Sequence, residues 1–308
     1  MNRAAAAAPL RSWLFVPGDS ERKQVKALAG AADALILDLE DSVDPAHRPR
    51  ARMRVANLLA AGTALGGPQL WVRVSAPSGA LLQEDLTRVC AAGLPAGIVL
   101  PKVSAAREIT EAAERLAALE RERGPGRNPV RLLVLVTETP QGLLALPQYP
   151  AQLGASAATL ARLAGLTWGA EDLSAALGAT AKRDAAGALT FTFQMARAGC
   201  LLAAAALNVQ AIDGVHTEFR DAAALSRELA EARRDGFSGK LAIHPDQVAP
   251  INAAFTPTAA EREHARRVLA AFAAAGGAGV ASLDGQMIDR PHLLLARRIL
   301  GASEPQET

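Results

Sequence analysis

Short apolar runs rich in Val, Ile and Leu recur along the chain, separated by longer stretches of helical pattern. The runs are Ser12–Val16, Ala34–Leu39, Leu70–Val74, Gly97–Leu100, Val130–Thr137, Gly165–Trp168, Ala211–Val215 and Leu241–Ile243. None alternates cleanly with polar residues, so each reads as a strand buried on both faces, as in a parallel sheet. Between them lie helical patterns such as Ala105–Arg123 and Asp221–Arg234. The second has an acid at its start and Arg233 and Arg234 at its end, the charge order a helix dipole favours. Eight strand–helix units in about 250 residues match a (β/α)8 barrel in size and count. An open doubly wound sheet is the competing arrangement.

After Phe255-Thr256-Pro257 the rhythm changes. Thr258-Ala259-Ala260-Glu261 predicts a capping box that opens a helix to about Ala275. Gly276 and Gly277 offer a flexible break, and a last helix runs through Leu293–Leu300 with Pro291 near its first turn. The expected organisation is a catalytic barrel over residues 1–256 and a C-terminal helical segment over 257–308, acting as a lid or an oligomerisation arm.

Composition narrows the function classes. The chain is 50% hydrophobic and 21% charged, with a mean hydropathy of +0.12, which fits a globular protein and not a disordered one. Lys+Arg is 33 against Asp+Glu 31, a net charge of +2, and aromatics are 4%. Neither a polyanion-binding field nor a set of base-stacking platforms is present, so no nucleic-acid partner is expected. Cys90 and Cys200 cannot build a disulfide framework, and a reducing cytoplasm is the expected location. The opening Met1–Leu10 holds no apolar run of secretion-signal length. Val268–Leu283 is uncharged but short and cut by three glycines, so no membrane role is expected. There is no sequon, HExxH, P-loop or GxGxxG.

In a barrel of this kind the active site lies at the C-terminal ends of the strands. There the chain presents Pro17-Gly18, then Asp38, Glu40 and Asp41, then Arg73, Pro101-Lys102, Thr137-Glu138-Thr139, Gly169-Ala170-Glu171-Asp172, Asp213-Gly214 and His244-Pro245. Polar groups at one end of apolar strands are costly unless paired or binding something. Carboxylates beside one Arg and one Lys point to a divalent cation and an anionic substrate. Carboxylate oxygens without Cys suit Mg2+, with Mn2+ as the second choice. Glu138 and Asp172, on neighbouring strands, are the best pair; the alternative is that they cap helices or pair with Arg73 or Lys102. Lys102 is read as an ion-pair partner rather than a Schiff base, His244 as structural, and Cys90 and Cys200 as packed thiols. Glu40 and Asp41 either support the metal or cap the second helix.

At these residues the chain resembles the citrate lyase β-subunit-like family of the HpcH/HpaI aldolase superfamily, which has phosphoenolpyruvate/pyruvate-type TIM barrels. The motifs are Arg11-Ser12-Trp13-Leu14-Phe15-Val16-Pro17-Gly18, Leu37-Asp38-Leu39-Glu40-Asp41-Ser42-Val43, Val72-Arg73-Val74, Leu100-Pro101-Lys102, Thr137-Glu138-Thr139, Trp168-Gly169-Ala170-Glu171-Asp172-Leu173 and Ala242-Ile243-His244-Pro245. The resemblance implies a Mg2+-dependent carbon–carbon lyase acting on a 3-hydroxyacyl-CoA such as citryl-, malyl- or citramalyl-CoA, with an acyl-CoA and a 2-oxo acid as the other partners. It implies that Glu138 and Asp172 hold the metal, that Glu138 also lies against the substrate, and that Arg73 clamps the oxo-acid carboxylate. Gly169 and Ala170 would approach the oxo acid through their backbone. Phe15, Arg22 and Lys26 would bind CoA, though Arg22 and Lys26 also fit a solvated helix face.

Asp289 matches a lid aspartate that acts as acid/base, donated across subunits of a trimer or hexamer; it is equally placed to cap the final helix. Many relatives read Arg-Val-Asn where this chain has Arg73-Val74-Ser75, and Thr139-Pro140 also departs from the pattern. Two other readings stand beside the lyase: a metal-dependent aldolase for free 2-oxo acids, and a non-autonomous citrate lyase subunit that binds oxaloacetate.

Overall fold

The computed structural model describes residues 9–63, 66–124, 128–276 and 279–301; Gly277 of the expected glycine break and the ends of both expected domains lie outside them. The described chain divides into two compact units, one over Leu10–Ala253 and one from Ala254 onward.

The first unit is a closed barrel of eight parallel strands. They are β1 (Ser12–Pro17), β2 (Ala34–Asp38), β3 (Gln69–Arg73), β4 (Gly97–Leu100), β5 (Arg131–Leu135), β6 (Leu163–Thr167), β7 (Gln210–Asp213) and β8 (Gly239–Ala242). β8 returns to β1, pairing Leu241 with Trp13, so no edge is left open. All eight expected strands form, and the barrel replaces the doubly wound alternative. Helices fill the connections, among them Ala106–Glu122 and Ala222–Asp235. Asp221 caps the latter through Ala224 N at 2.8 Å, and Arg233 and Arg234 stand in its last turn, as the charge order predicts.

Strand parity decides what faces inward, because alternate residues share a side. Trp13, Ala34, Ile36, Trp71, Val99, Leu133, Leu135, Ile212 and Leu241 form the buried barrel core. The Trp13 and Trp71 rings meet edge to face, with centroids 4.8 Å apart. Gly97 lies directly against Trp71, where an added Cβ would fall 2.1 Å from a ring carbon. Intermediate positions such as Leu35, Leu37, Ile98 and Val134 are also fully buried, under the helices. This double burial is why the runs show no polar alternation. Cys90 and Cys200 are buried free thiols; burial pushes Cys90 up to about 11.

The second unit contains the helix Ala259–Ala274, the strands β9 (Val280–Leu283) and β10 (Gln286–Asp289), and the helix Arg290–Leu300. The capping box forms: Thr258 Oγ1 accepts from Glu261 N at 3.2 Å, and Glu261 Oε2 accepts from Thr258 N at 2.7 Å. The expectation of two helices across a flexible break needs correction, since β9 and β10 make an antiparallel hairpin. Its turn is Asp284-Gly285, both at positive φ (52° and 76°). Asp-Gly suits that turn type, but strands of four residues are too short to stand out beside a glycine-rich run. Ala265, Val268, Phe272, Ile288 and Ala296 make this unit's core.

Gly97→Ala is expected to destabilise the barrel by about 1–3 kcal/mol, because the Trp71 ring has no room to retreat. A lower urea midpoint with an unchanged slope checks this; an unchanged midpoint would show that the Trp13–Trp71 layer yields.

Candidate active site

The same parity that buries Ile36 and Trp71 brings the last residues of their strands, Asp38 and Arg73, to the inward side at the barrel mouth. The register then sets them side by side. Arg73 grips Asp38 with two parallel bonds, Nε to Oδ1 and Nη2 to Oδ2, both 2.7 Å. Asp38 also accepts from Glu40 N and Ser42 N, each at 3.0 Å. Burial pushes the Asp38 carboxyl up, but the guanidinium and these donors outweigh it and hold it below its ordinary value. The other Arg73 nitrogen, Nη1, stands 3.2 Å from Glu40 Oε2, and its guanidinium lies 4.8 Å above the Phe15 ring. The edge of Arg73 expected to clamp a substrate carboxylate is therefore already filled by Asp38, leaving only its remaining Nη hydrogens to reach a ligand.

Lys102 follows β4 in the left-handed region, at φ 52°, which costs a non-glycine residue about 1–2 kcal/mol. Its backbone N–H donates to Glu138 Oε2 at 2.6 Å. Its ammonium meets Glu40 at 2.6 Å, Asp41 at 2.9 Å and Asp172 at 3.4 Å. Burial alone would lower its pKa, but the Asp41 and Glu40 carboxylates raise it, so it is a fixed cation rather than a nucleophilic amine.

Glu138 follows β5 and is only 3% exposed. Burial drives its carboxyl up to about 8; Asp172 and Glu40 add to the rise, and the Lys102 amide and Arg73 oppose it. Gly169 lies against it: a Cβ there would sit 2.7 Å from Glu138 Cγ, so only glycine leaves room for the acid. Asp172 stands in the first turn of the helix Ala170–Leu177, where the helix dipole favours a negative charge. Thr139 accepts from Gly142 N at 2.9 Å and caps the next helix, with Pro140 in its first turn. Glu40 and Asp41 do not cap the second helix, since Asp44 caps the short turn that leads into it.

These groups open on a cavity of about 730 Å3 whose lining includes Phe15, Arg22, Lys26, Arg73, Glu138, Gly169, Ala170 and Asp172. Arg22, Lys23 and Lys26 are exposed on the helix Glu21–Leu28 and form its basic rim. His244 also lines the cavity; it stacks on Phe219 at 4.7 Å and accepts from Asp246 N at 3.3 Å. Asp289 belongs to the second unit, where it precedes the helix Arg290–Leu300 and its Oδ1 lies 2.6 Å from His292 Nδ1. The Asp38 clamp was not assigned a role from sequence, although the strand register supplies it. Ser75, the departure from Arg-Val-Asn, donates its backbone N–H to Asp85 at 2.7 Å, and its buried hydroxyl has no hydrogen-bond partner among the described residues.

Inside this rim, five carboxyls (Asp38, Glu40, Asp41, Glu138, Asp172) cluster about two cations (Arg73, Lys102). This shortage of positive charge, with the poorly compensated Glu138, fits a divalent cation held by oxygen donors. Among the described residues no group of three or more His, Cys, Asp or Glu is arranged to hold a metal. A site built on two carboxylates suits Mg2+ by its oxygen donors, since that ion takes few protein ligands and keeps its remaining positions for water and substrate.

The sequence profile of the HpcH/HpaI aldolase/citrate lyase family matches residues 11–245. The chain is 36% identical over 303 residues to a (3S)-malyl-CoA thioesterase of Cereibacter sphaeroides, covering 98% of this chain and 97% of that one. It is 34% identical over 295 residues to the mitochondrial citramalyl-CoA lyase of Homo sapiens, covering 94% and 84%. Its fold matches the crystal structure of protein CitE from Mycobacterium tuberculosis in complex with magnesium, acetoacetate and coenzyme A. That match has a TM-score of 0.72 and 33% identity, and covers 96% of this chain and 97% of that one.

In metal-free protein the raised Glu138 carboxyl keeps its proton in the native state up to about pH 8, while the unfolded chain releases it near the ordinary value. Across that window the native state binds more protons, so this group makes stability fall as pH rises. Glu138→Gln removes the effect. Its stability relative to wild type is expected to grow from pH 5 to pH 8 in urea unfolding with a chelator present; a pH-independent difference would show that Glu138 is already ionised.

Proposed function

Because the chain belongs to the HpcH/HpaI aldolase/citrate lyase family, we propose that it is a Mg2+-dependent carbon–carbon lyase that cleaves, or in reverse forms, a 3-hydroxyacyl-CoA such as citryl-, malyl- or citramalyl-CoA. The products of cleavage are an acyl-CoA and a 2-oxo acid. The observation that carries this reading is the buried, poorly compensated Glu138, set inside the basic rim among carboxyls that outnumber Arg73 and Lys102. An anionic oxo acid packs beside those inner carboxyls only if a further cation joins them. Support comes from the relatives named for malyl-CoA and citramalyl-CoA chemistry and from the CitE complex with magnesium and coenzyme A.

Glu138 and Asp172 would hold the metal. Mg2+, or Mn2+ with the same preference for oxygen, supplies Lewis-acid polarisation of the substrate oxygen when bound. The chain's own residues do the rest. The Nη hydrogens that Asp38 leaves to Arg73 bind the carboxylate of the oxo-acid half and orient it. Gly169 and Ala170 present backbone rather than side chain, so the oxo acid packs beside Glu138. Arg22 and Lys26 take the phosphate-bearing thioester from the rim, with Phe15 on the wall. In cleavage the 3-hydroxyl gives up its proton, the bond between C2 and C3 breaks, and the acyl-CoA carbon regains a proton. We assign that proton exchange to Asp289. The same proposal includes a homo-oligomer, trimeric or hexameric, a cytoplasmic location and a lid role for the C-terminal unit. The two buried reduced thiols support the location.

Incubation with malyl-, citramalyl- and citryl-CoA is expected to release an oxo acid from at least one, only with Mg2+ present. Glu138→Gln and Asp172→Asn are each expected to lower kcat/KM by about 10^3-fold or more, roughly 4 kcal/mol. Asp289→Asn should lower kcat with little change in KM. Arg22→Ala with Lys26→Ala should raise KM for the thioester about tenfold. Turnover of free 4-hydroxy-2-oxo acids with that double variant unaffected would favour the CoA-independent aldolase. Binding of oxaloacetate and Mg2+ without turnover of any thioester would favour the non-autonomous subunit.

A further inference from the structure

Behind the cavity wall lies a second buried charge cluster, distinct from the carboxyls at the mouth. Asp213 ends β7, and its neighbour Ile212 points into the barrel core. By parity Asp213 points outward, under the helices. Its Oδ1 accepts from Trp168 Nε1 at 2.7 Å and from Arg197 Nε at 3.0 Å. Its Oδ2 accepts from Lys240 Nζ at 2.8 Å. Lys240 is only 2% exposed and also meets Glu228 at 3.3 Å; Arg197 continues to Asp235 at 2.5 Å. Burial pushes the Asp213 carboxyl up, but Lys240 and Arg197 outweigh it and hold it down at about 2. A buried carboxylate between two cations is a rigid acceptor, since neither partner can leave without stranding a charge.

Only one of its three donors belongs to the cavity. Trp168 lines the cavity wall and immediately precedes Gly169 and Ala170. Its indole is held on a second side as well: a Cβ added to Gly214 would fall 3.1 Å from Trp168 Cε2 and 3.2 Å from Nε1. The indole edge is thus pinned by the Asp213 carboxylate and closely approached by the Gly214 backbone. The Lys240–Asp213–Arg197 triad spans β7, β8 and the helix Phe191–Ala206, so the pin is anchored in the frame of the barrel and not in a loop.

We propose that Asp213 is a positioning residue of the active site: it fixes the Trp168 indole and, through it, the Gly169–Ala170 backbone against which the oxo acid binds. The identity of the bound acid rests on the function proposed above; the pinning of the indole does not. A double-mutant cycle tests it, with Asp213→Asn, Trp168→Phe and the double variant measured for KM and kcat with the oxo acid in the condensation direction. The indole proton resonance of Trp168 is followed in the first variant. Each single change is expected to raise KM for the oxo acid about tenfold or more, with a smaller change in kcat, and the double variant to be no worse than either single one. In Asp213→Asn the Trp168 indole proton should shift and exchange faster with solvent.

Additive losses in the cycle, or an unmoved indole resonance, would overturn the assignment. If Asp213→Asn does not fold, Trp168→Phe decides alone, and wild-type KM in that variant sinks the proposal. If the wild-type chain turns over no substrate, the functional reading has failed instead. The indole resonance then decides: an Asp213→Asn shift supports the pin, and no shift removes it.

Discussion

A shortage of positive charge around Glu138, inside the basic rim of the cavity, governs this molecule. The strands are apolar along most of their length, so their polar ends crowd into one small region. The carboxyls gathered there outnumber the guanidinium and ammonium groups that face them. Asp38 is satisfied, because Arg73 lies along it in two parallel bonds. Glu138 is not: among the described residues one backbone amide is the hydrogen bond it receives, and Asp172 and Glu40 add to the rise that burial causes, with Arg73 opposing it only in part. A buried carboxyl in that position either holds a proton or calls for a metal ion. The cavity's chemistry follows from that unmet demand more than from any single catalytic side chain.

The demand is kept in place by packing. Trp71 lies over Gly97 at the barrel's centre, and parity carries that strand's next inward position to Arg73. The guanidinium rests on Phe15, so an aromatic ring expected to meet the cofactor's thioester arm also supports the base of the anion clamp. On the far wall Gly169 accommodates Glu138 and Asp213 secures Trp168. Cations inside the wall thus fix what the mouth presents. Buried ion clusters of this kind add little net stability over apolar packing; here the cluster has a defined neighbour in the cavity.

Most of the barrel was readable from sequence because parallel strands buried on both faces leave uninterrupted apolar runs. The strand-end motifs Leu37-Asp38-Leu39-Glu40-Asp41 and Trp168-Gly169-Ala170-Glu171-Asp172 located the cavity for the same reason: polar groups at the end of such a run have nowhere else to go. Three features were not readable. The occupancy of Arg73 by Asp38 depends on register, which sets positions 35 residues apart side by side. The left-handed backbone at Lys102 has no composition signal. The β9–β10 hairpin carried only an Asp-Gly turn and two short strands, weak beside adjoining glycines and alanines. The sequence context of Asp289 fits both an acid/base and a helix cap, and its pairing with His292 at the start of the last helix belongs to the second role.

Lys102 carries one further implication. Its amide direction needs a backbone twist that glycine adopts freely, whereas its ammonium, bridging three acids, needs a long cationic side chain. No amino acid meets both demands without strain. Substitutions that relax the loop would discard the counter-charge, and those that keep the charge inherit the twist. That position is therefore one where evolution toward a sturdier protein and toward a working one must pull in opposite directions.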